Sequence, residues 1–283
     1  MTDYLVYDVF TQSPFGGNQL AIIPDATRLA EDQLQKIARE FNYSETVFIY
    51  PPAQAGHTAK VRIFTPTMEV PFAVHPIIGT LVALADLGHT SPMKLELGVG
   101  PLECSVTRGL ASFTTTAALE TLATPPPELV ANALGLNAND IVSETHAPVQ
   151  ATLGLAFVIA EVSDRATLSR CVPNLDAIRM GASLHPAGLD FAIFAYCRNN
   201  QDVDARMFAP LDNIPEDPAK GSASATLAAL LTKQLGAAQN LTIRQGYDMG
   251  RPSDITATKR IADPIPVTIS GNAVKTMEGR LVL

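Results

Sequence analysis

Residues 62–80, RIFTPTMEVPFAVHPIIGT, and residues 206–222, RMFAPLDNIPEDPAKGS, carry one pattern twice, half a chain apart. Each copy has Arg-x-Phe-x-Pro, an acidic bend, then a polar residue, Pro, two residues, Gly and a hydroxyl residue. His75-Pro76-Ile77-Ile78-Gly79-Thr80 therefore stands against Asp217-Pro218-Ala219-Lys220-Gly221-Ser222 without a gap. Self-similarity at a fixed offset is the mark of a duplicated unit. The two turns could face each other, and an acid and a histidine in one cleft can tune each other's proton affinity. An apolar helical run follows each copy, residues 81–87 before Gly88 and residues 223–235 before Gly236. Pro near the start and Gly past the end are helix start and stop signals. Gly79 and Thr80, and likewise Gly221 and Ser222, are thus expected at helix N-termini. The free N–H groups and positive dipole end there suit a carboxylate.

Glu45 is the acid of most chemical interest. It stands beside Asn42 and Ser44 at the mouth of the apolar run 46–50. Partial burial there would raise its pKa above the ordinary value of about 4.3. A carboxyl tuned upward can both accept and return a proton near neutrality. Most glutamates that precede a strand are solvated, so Glu45 alone argues little.

Other chemistries find less support. His57, His89, His146 and His185 lack metal-ligand spacing. Ser222 is not in a Gly-x-Ser-x-Gly elbow, so its hydroxyl is read as a cap and ligand binder, not a nucleophile. Gly98-x-Gly100 lacks the third glycine of a dinucleotide fingerprint, and no phosphate-binding loop is present. No metal and no cofactor are expected. Cys104, Cys171 and Cys197 show no paired spacing and fall outside both turns. A two-thiol racemase would place a cysteine in each facing turn, where this chain offers Ala73 and Asp217.

The elements that must position these residues are short and numerous. Strands are expected at residues 4–10, 20–23, 46–50, 61–64, 94–97, 102–106 and 111–115. The second half repeats the rhythm at 141–144, 153–160, 189–196, 203–208, 241–245, 255–260, 267–270 and 274–283. Helices are expected at 29–41, 128–134, 165–170 and 175–180, besides the two runs after the turns. Residues 124–127, Thr-Pro-Pro-Pro, read as a linker. The pattern is α+β in duplicate: residues 1–123 form one domain and 124–271 the other, with 272–283 available to pair back with the first. In 283 residues the net charge of −8 speaks against a nucleic-acid surface. No apolar run is long enough to span a bilayer. The acidic N-terminus does not read as a signal peptide, so a reduced, cytoplasmic protein is expected.

With these residues in view, the chain resembles the PhzF-like phenazine-biosynthesis family. DVFTQSPFGGNQLAII, SETVF, RIFTPTMEVPFAVHPIIGT and EDPAKGSA carry the likeness, in order along nearly the whole chain. The resemblance implies the diaminopimelate epimerase fold, each domain a curled sheet around a central helix, with a site in the cleft between them and a homodimer. It implies cofactor-independent isomerisation of a compound like trans-2,3-dihydro-3-hydroxyanthranilate. Glu45 matches the family's acid–base glutamate, His75 the loop histidine, and Asp217 and Ser222 the second-turn pair. Asn18 matches the asparagine of the Gly-Asn turn, and Gly221 the glycine before the serine. Glu45 would move a proton from carbon 3 to carbon 1, His75 and Asp217 would hold the amine and hydroxyl, and the Gly79 and Gly221 helix ends the carboxylate. Three positions depart from the family pattern: Val74 stands for a glycine, Lys220 for a threonine and Gln19 for a proline. A β-branched Val74 would be strained at positive φ.

Alternatives from other classes are a racemase or epimerase of a small acid, a non-catalytic small-molecule binding protein, and a serine hydrolase. The missing turn thiols oppose the first, and no recognisable triad supports the last.

Overall fold

The computed structural model describes residues 1–261 and 266–283. The chain forms two compact units, Met1–Thr114 with Ser270–Leu283, and Thr115–Ile269.

The first unit begins with β1 (Thr2–Val9) and β2 (Asn18–Ile23), followed by α1 (Glu31–Phe41) and β3 (Glu45–Tyr50). Then come β4 (Ala59–Phe64), the short β5 (Glu69–Val70), α2 (Val74–Asp86), β6 (Met93–Leu97), β7 (Gly100–Thr107) and β8 (Leu110–Thr115). In the second unit β9 (Glu120–Ala123) precedes α3 (Pro127–Ala133), β10 (Ile141–Val142), β11 (Val149–Thr152) and β12 (Ala156–Val162). Helices α4 (Arg165–Arg170) and α5 (Leu175–Leu184) lead to β13 (Ile193–Asn199), β14 (Asp202–Ala209) and β15 (Ile214–Asp217). The unit closes with α6 (Gly221–Leu235), β16 (Gln239–Gln245), β17 (Ser253–Lys259) and β18 (Val267–Gly271). The last strand, β19 (Ala273–Leu281), pairs antiparallel with β1 in the first unit. The crossing into the second unit lies ahead of the 124–127 proline run, because β9 pairs with β11.

The two units share one topology. In the first, β1 pairs antiparallel with β2, β2 parallel with β3, β3 antiparallel with β4, β4 parallel with β6, and β6 antiparallel with β7. In the second, β11, β12, β13, β14, β16 and β17 repeat those relations in the same sequence. Each sheet packs on one long helix: α2 touches β1, β2, β3, β7 and β19, and α6 touches β11, β12, β16 and β17. Both helices are hydrophobic on nearly every face, with residues 74–84 of α2 all buried. A helix apolar all round has to be enclosed, and here the sheet encloses it.

Sequence patterning located most elements to within a few residues. Helix α4 occupies the expected 165–170, while α1 starts at Glu31 rather than residue 29. In the turn before α1 the Asp25 carboxylate accepts from the N–H of Thr27 at 3.0 Å. The Ala30 N–H is satisfied by the Gln33 side chain at 2.9 Å.

The paired arginines show how deep the duplication runs. The Arg62 guanidinium lies over the Phe64 ring at 5.2 Å, and Arg206 lies over Phe208 at 4.8 Å. Arg62 binds Glu69 and Glu31, all four contacts at 2.7 Å. Arg206 binds Glu216 through two contacts at 2.8 Å. In place of a second acid so close, it donates to the carbonyls of Leu168, Ser169 and Cys171 at the end of α4. Cation over ring and a bidentate acid clamp thus recur at the same strand position.

Gly79 is where α2 meets its sheet. A methyl group there would come within 2.6 Å of Leu20 Cδ2 and 2.7 Å of Val9 Cγ2. Gly79→Ala is therefore expected to destabilise the protein by about 1–3 kcal/mol, the usual range for overpacking. Denaturant unfolding would measure it, and an unchanged midpoint would show that the helix can shift freely.

Candidate active site

Glu45 is the first residue of β3 and pairs across to Leu20 of the neighbouring parallel strand. The preceding turn uses Asn42 at φ 52, a left-handed position that closes α1 and aims the chain into the sheet. Glu45 is buried, 7% exposed. His75 arrives from α2, and its Nδ1 lies 3.0 Å from Glu45 Oε2. His75 is buried as well, and its Nε2 has no hydrogen-bond partner among the described residues. A buried ring nitrogen without a partner is costly unless something else supplies one. The pair thus joins a carboxyl group to an imidazole whose other nitrogen is buried and has no hydrogen-bond partner among the described residues.

Asn18 opens β2, is buried, and stands opposite Val9. Its Oδ1 lies 3.5 Å from Ser44 Oγ, which ties the Gly-Asn turn to the residue before Glu45. Gly17 precedes it at φ 60, where a Cβ would lie 2.3 Å from the Val9 carbonyl oxygen, so that turn requires glycine.

His75 is not in a loop, as its sequence context predicts, but in the first turn of α2, which begins at Val74. Val74 takes helical backbone after the extended Ala73 (φ −152), so the strain predicted for a β-branched residue there does not arise. Pro76 fits the first turn because the N–H it lacks would have no helical acceptor. Gly79 and Thr80 lie in the second turn, past the free N–H groups. The expectation that the Gly79 end of the helix presents an anion site is corrected accordingly: Gly79 serves close packing. Thr80 is fully buried, and its Oγ1 has no hydrogen-bond partner among the described residues.

In the second unit the helix starts later. Asp217 is the last residue of β15, fully buried, and its Oδ1 accepts the Ala219 N–H at 2.9 Å. Such a turn within the Asp-Pro-Ala sequence holds the chain out of helix until Gly221. Gly221 and Ser222 then open α6, so their N–H groups do belong to the first turn. The gap-free alignment of His75 with Asp217 therefore joins residues in different backbone settings, one in a helix and one at a strand end.

Lys220 and Gln245 complete this turn. Lys220 Nζ lies 3.2 Å from Asp217 Oδ2. Gln245 accepts the Lys220 N–H at 3.1 Å and donates to the Asp217 carbonyl at 2.6 Å. Gln245 escaped the reading of the sequence; its only signal was a polar residue at a strand end before Gly246, which the fold needs at φ 75.

Sheet register reveals which half holds the acid. Thr46 pairs with Phe64, and the corresponding partner of Phe208 is Ile193. The residue matching Glu45 is therefore Ala192, which is buried and has nothing to titrate.

The three cysteines are all buried thiols. Burial pushes Cys104 up to about 12, and Cys171 and Cys197 up to about 11.

A duplicated α+β unit, each sheet enclosing one helix, defines an epimerase-type fold, and the buried Glu45–His75 contact lies in its first half. A profile of the family described as "Phenazine biosynthesis-like protein" matches residues 7–279. An uncharacterized isomerase of Mesorhizobium japonicum is 35% identical, over 99% of both chains. Trans-2,3-dihydro-3-hydroxyanthranilate isomerase of Pseudomonas aeruginosa is 33% identical over 100% of both. The crystal structure of a PhzF-family phenazine biosynthesis protein from Bacillus anthracis shares the fold. Its TM-score is 0.86 at 24% identity, covering 100% of this chain and 99% of that one. The chain belongs to the PhzC-PhzF, phenazine biosynthesis-like family, and its fold is the diaminopimelate epimerase-like α+β fold. Among the described residues no helix is long and apolar enough to cross a membrane.

Proposed function

We propose that this chain is a cofactor-independent isomerase that moves a proton on a small cyclic amino- or hydroxy-carboxylic acid of the dihydro-hydroxyanthranilate kind. Glu45 is the acid–base group, His75 its partner and a contact to the substrate, and Asn18 a binding residue beside them. Asp217, Gly221 and Ser222 are further substrate-binding residues. Glu45 takes the proton from carbon 3 and returns one to carbon 1; the double bonds move between these steps, and the resulting enol tautomerises to the ketone. The substrate keeps its atoms and its oxidation state.

The observation that carries this reading is the buried Glu45–His75 contact of 3.0 Å. The named activity of the 33% identical Pseudomonas aeruginosa relative supports the reaction class. Racemisation by two bases needs a second proton-transferring group, and the repeat offers Ala192 at the matching strand position. Solvent-deuterium incorporation into the substrate, compared between the native chain and Glu45→Gln, tests the assignment.

Thiol chemistry makes a separate expectation. With all three thiols raised to about 11 or 12, the thiolate fraction at pH 8 is small and access is poor. Iodoacetamide treatment of the folded protein is expected to leave turnover unchanged and the cysteines unmodified by mass spectrometry. Loss of activity with modification of one cysteine would bring back a thiol racemase.

A further inference from the structure

We infer that the Asp217–Lys220 pair selects the substrate class within the proposed site: a cyclic carboxylic acid bearing hydroxyl or oxo groups, with no protonated amine. The inference rests on the isomerase reading above and narrows it.

The argument starts from charge. The Asp217 side chain is 0% exposed and the Lys220 side chain 13%. A carboxylate withdrawn from water this completely needs a positive partner. Were position 220 neutral, an ammonium group on the substrate would be the natural counter-charge. In this chain Lys220 already supplies it, at 3.2 Å from Oδ2, while Oδ1 is held by the Ala219 N–H at 2.9 Å. A second cation brought to the same carboxylate would meet the Lys220 ammonium and be repelled. An oxygen of a hydroxyl, ketone or carboxylate would instead meet a donor.

The backbone holds Lys220 in place. Its N–H is bound by Gln245 Oε1 at 3.1 Å, and the Gln245 amide also grips the Asp217 carbonyl. Acid, lysine and glutamine form one cross-linked turn, so Lys220 is not a wandering surface cation.

Binding of trans-2-hydroxycyclohexanecarboxylate and trans-2-aminocyclohexanecarboxylate, measured by calorimetry at pH 7, tests this. The pair differs chiefly in a hydroxyl against an ammonium. The native protein is expected to bind the hydroxy acid at least about tenfold more tightly, since juxtaposed like charges cost enough for such a factor. In Lys220→Met the preference is expected to reverse. Because that variant strands a buried acid, Lys220→Met/Asp217→Asn provides a neutral version of the turn, expected to show little preference. The inference is overturned if the native protein favours the amino acid, binds neither probe, or if both variants keep the native preference. Failure of the isomerase reading looks different: Glu45→Gln would then exchange deuterium at the native rate while the Lys220-dependent preference persisted.

Discussion

Glu45→Gln is expected to slow solvent-deuterium incorporation into a cyclic hydroxy-carboxylic acid substrate by about 10²–10⁴-fold, the range for removal of a positioned acid–base group. The amide has the shape of the carboxyl, so the β3 entrance and the contact with His75 keep their geometry, but it cannot accept and return a proton. Loss of a charged partner for buried His75 should cost about 1–3 kcal/mol of stability. Stability and turnover therefore separate: the variant should remain folded by circular dichroism while exchange is nearly silent. Mass spectrometry of substrate incubated in deuterium oxide reads the result directly. Exchange at the native rate in a folded Glu45→Gln protein would remove this carboxylate from the mechanism.

The second large effect concerns the repeated arginine. Arg206→Leu should destabilise the chain by about 3–5 kcal/mol, because it strands an acid largely withdrawn from water. Its guanidinium side chain is 11% exposed and its partner Glu216 16%. The same substitution also leaves the carbonyls at the end of α4 without their donor. Arg62→Leu, at the equivalent strand position, should cost only about 1 kcal/mol. There the partner acids reach water, Glu31 at 74% and Glu69 at 42% exposure, and can be rehydrated when the arginine goes. Thermal unfolding of the two variants side by side measures the contrast, with a drop of roughly 10 °C for Arg206→Leu and a few degrees for Arg62→Leu. Equal shifts would mean that burial is not what separates the two copies.

Much of the candidate site was readable in the chain because its signals are local. The Arg-x-Phe-x-Pro turns, the helices stopped by Gly88 and Gly236, and the alternation of the strands depend on neighbouring residues and on periodicity. The start of α2 was less readable. Val74-His75-Pro76 has no side-chain cap, and its helical state comes from enclosure by the sheet rather than from the turn itself. Asp217 could have been foreseen to delay α6, since aspartate before proline favours a turn. Gly79 misled because glycine near a helix start has two common uses, anion binding and close packing. Only the positions of Leu20 and Val9 distinguish them.

The sequence by itself determined the duplication, the α+β pattern, the identity of Glu45, His75 and Asp217 as candidates, and the exclusion of thiols from the turns. Tertiary structure alone decided that Glu45 touches His75, that Ala192 fills the matching place in the other half, and that Lys220 neutralises Asp217. The division has a physical cause. Propensities and turn chemistry act over a few residues. A 3.0 Å contact between residues thirty positions apart depends on strand register and helix docking, which the packing of the whole unit sets.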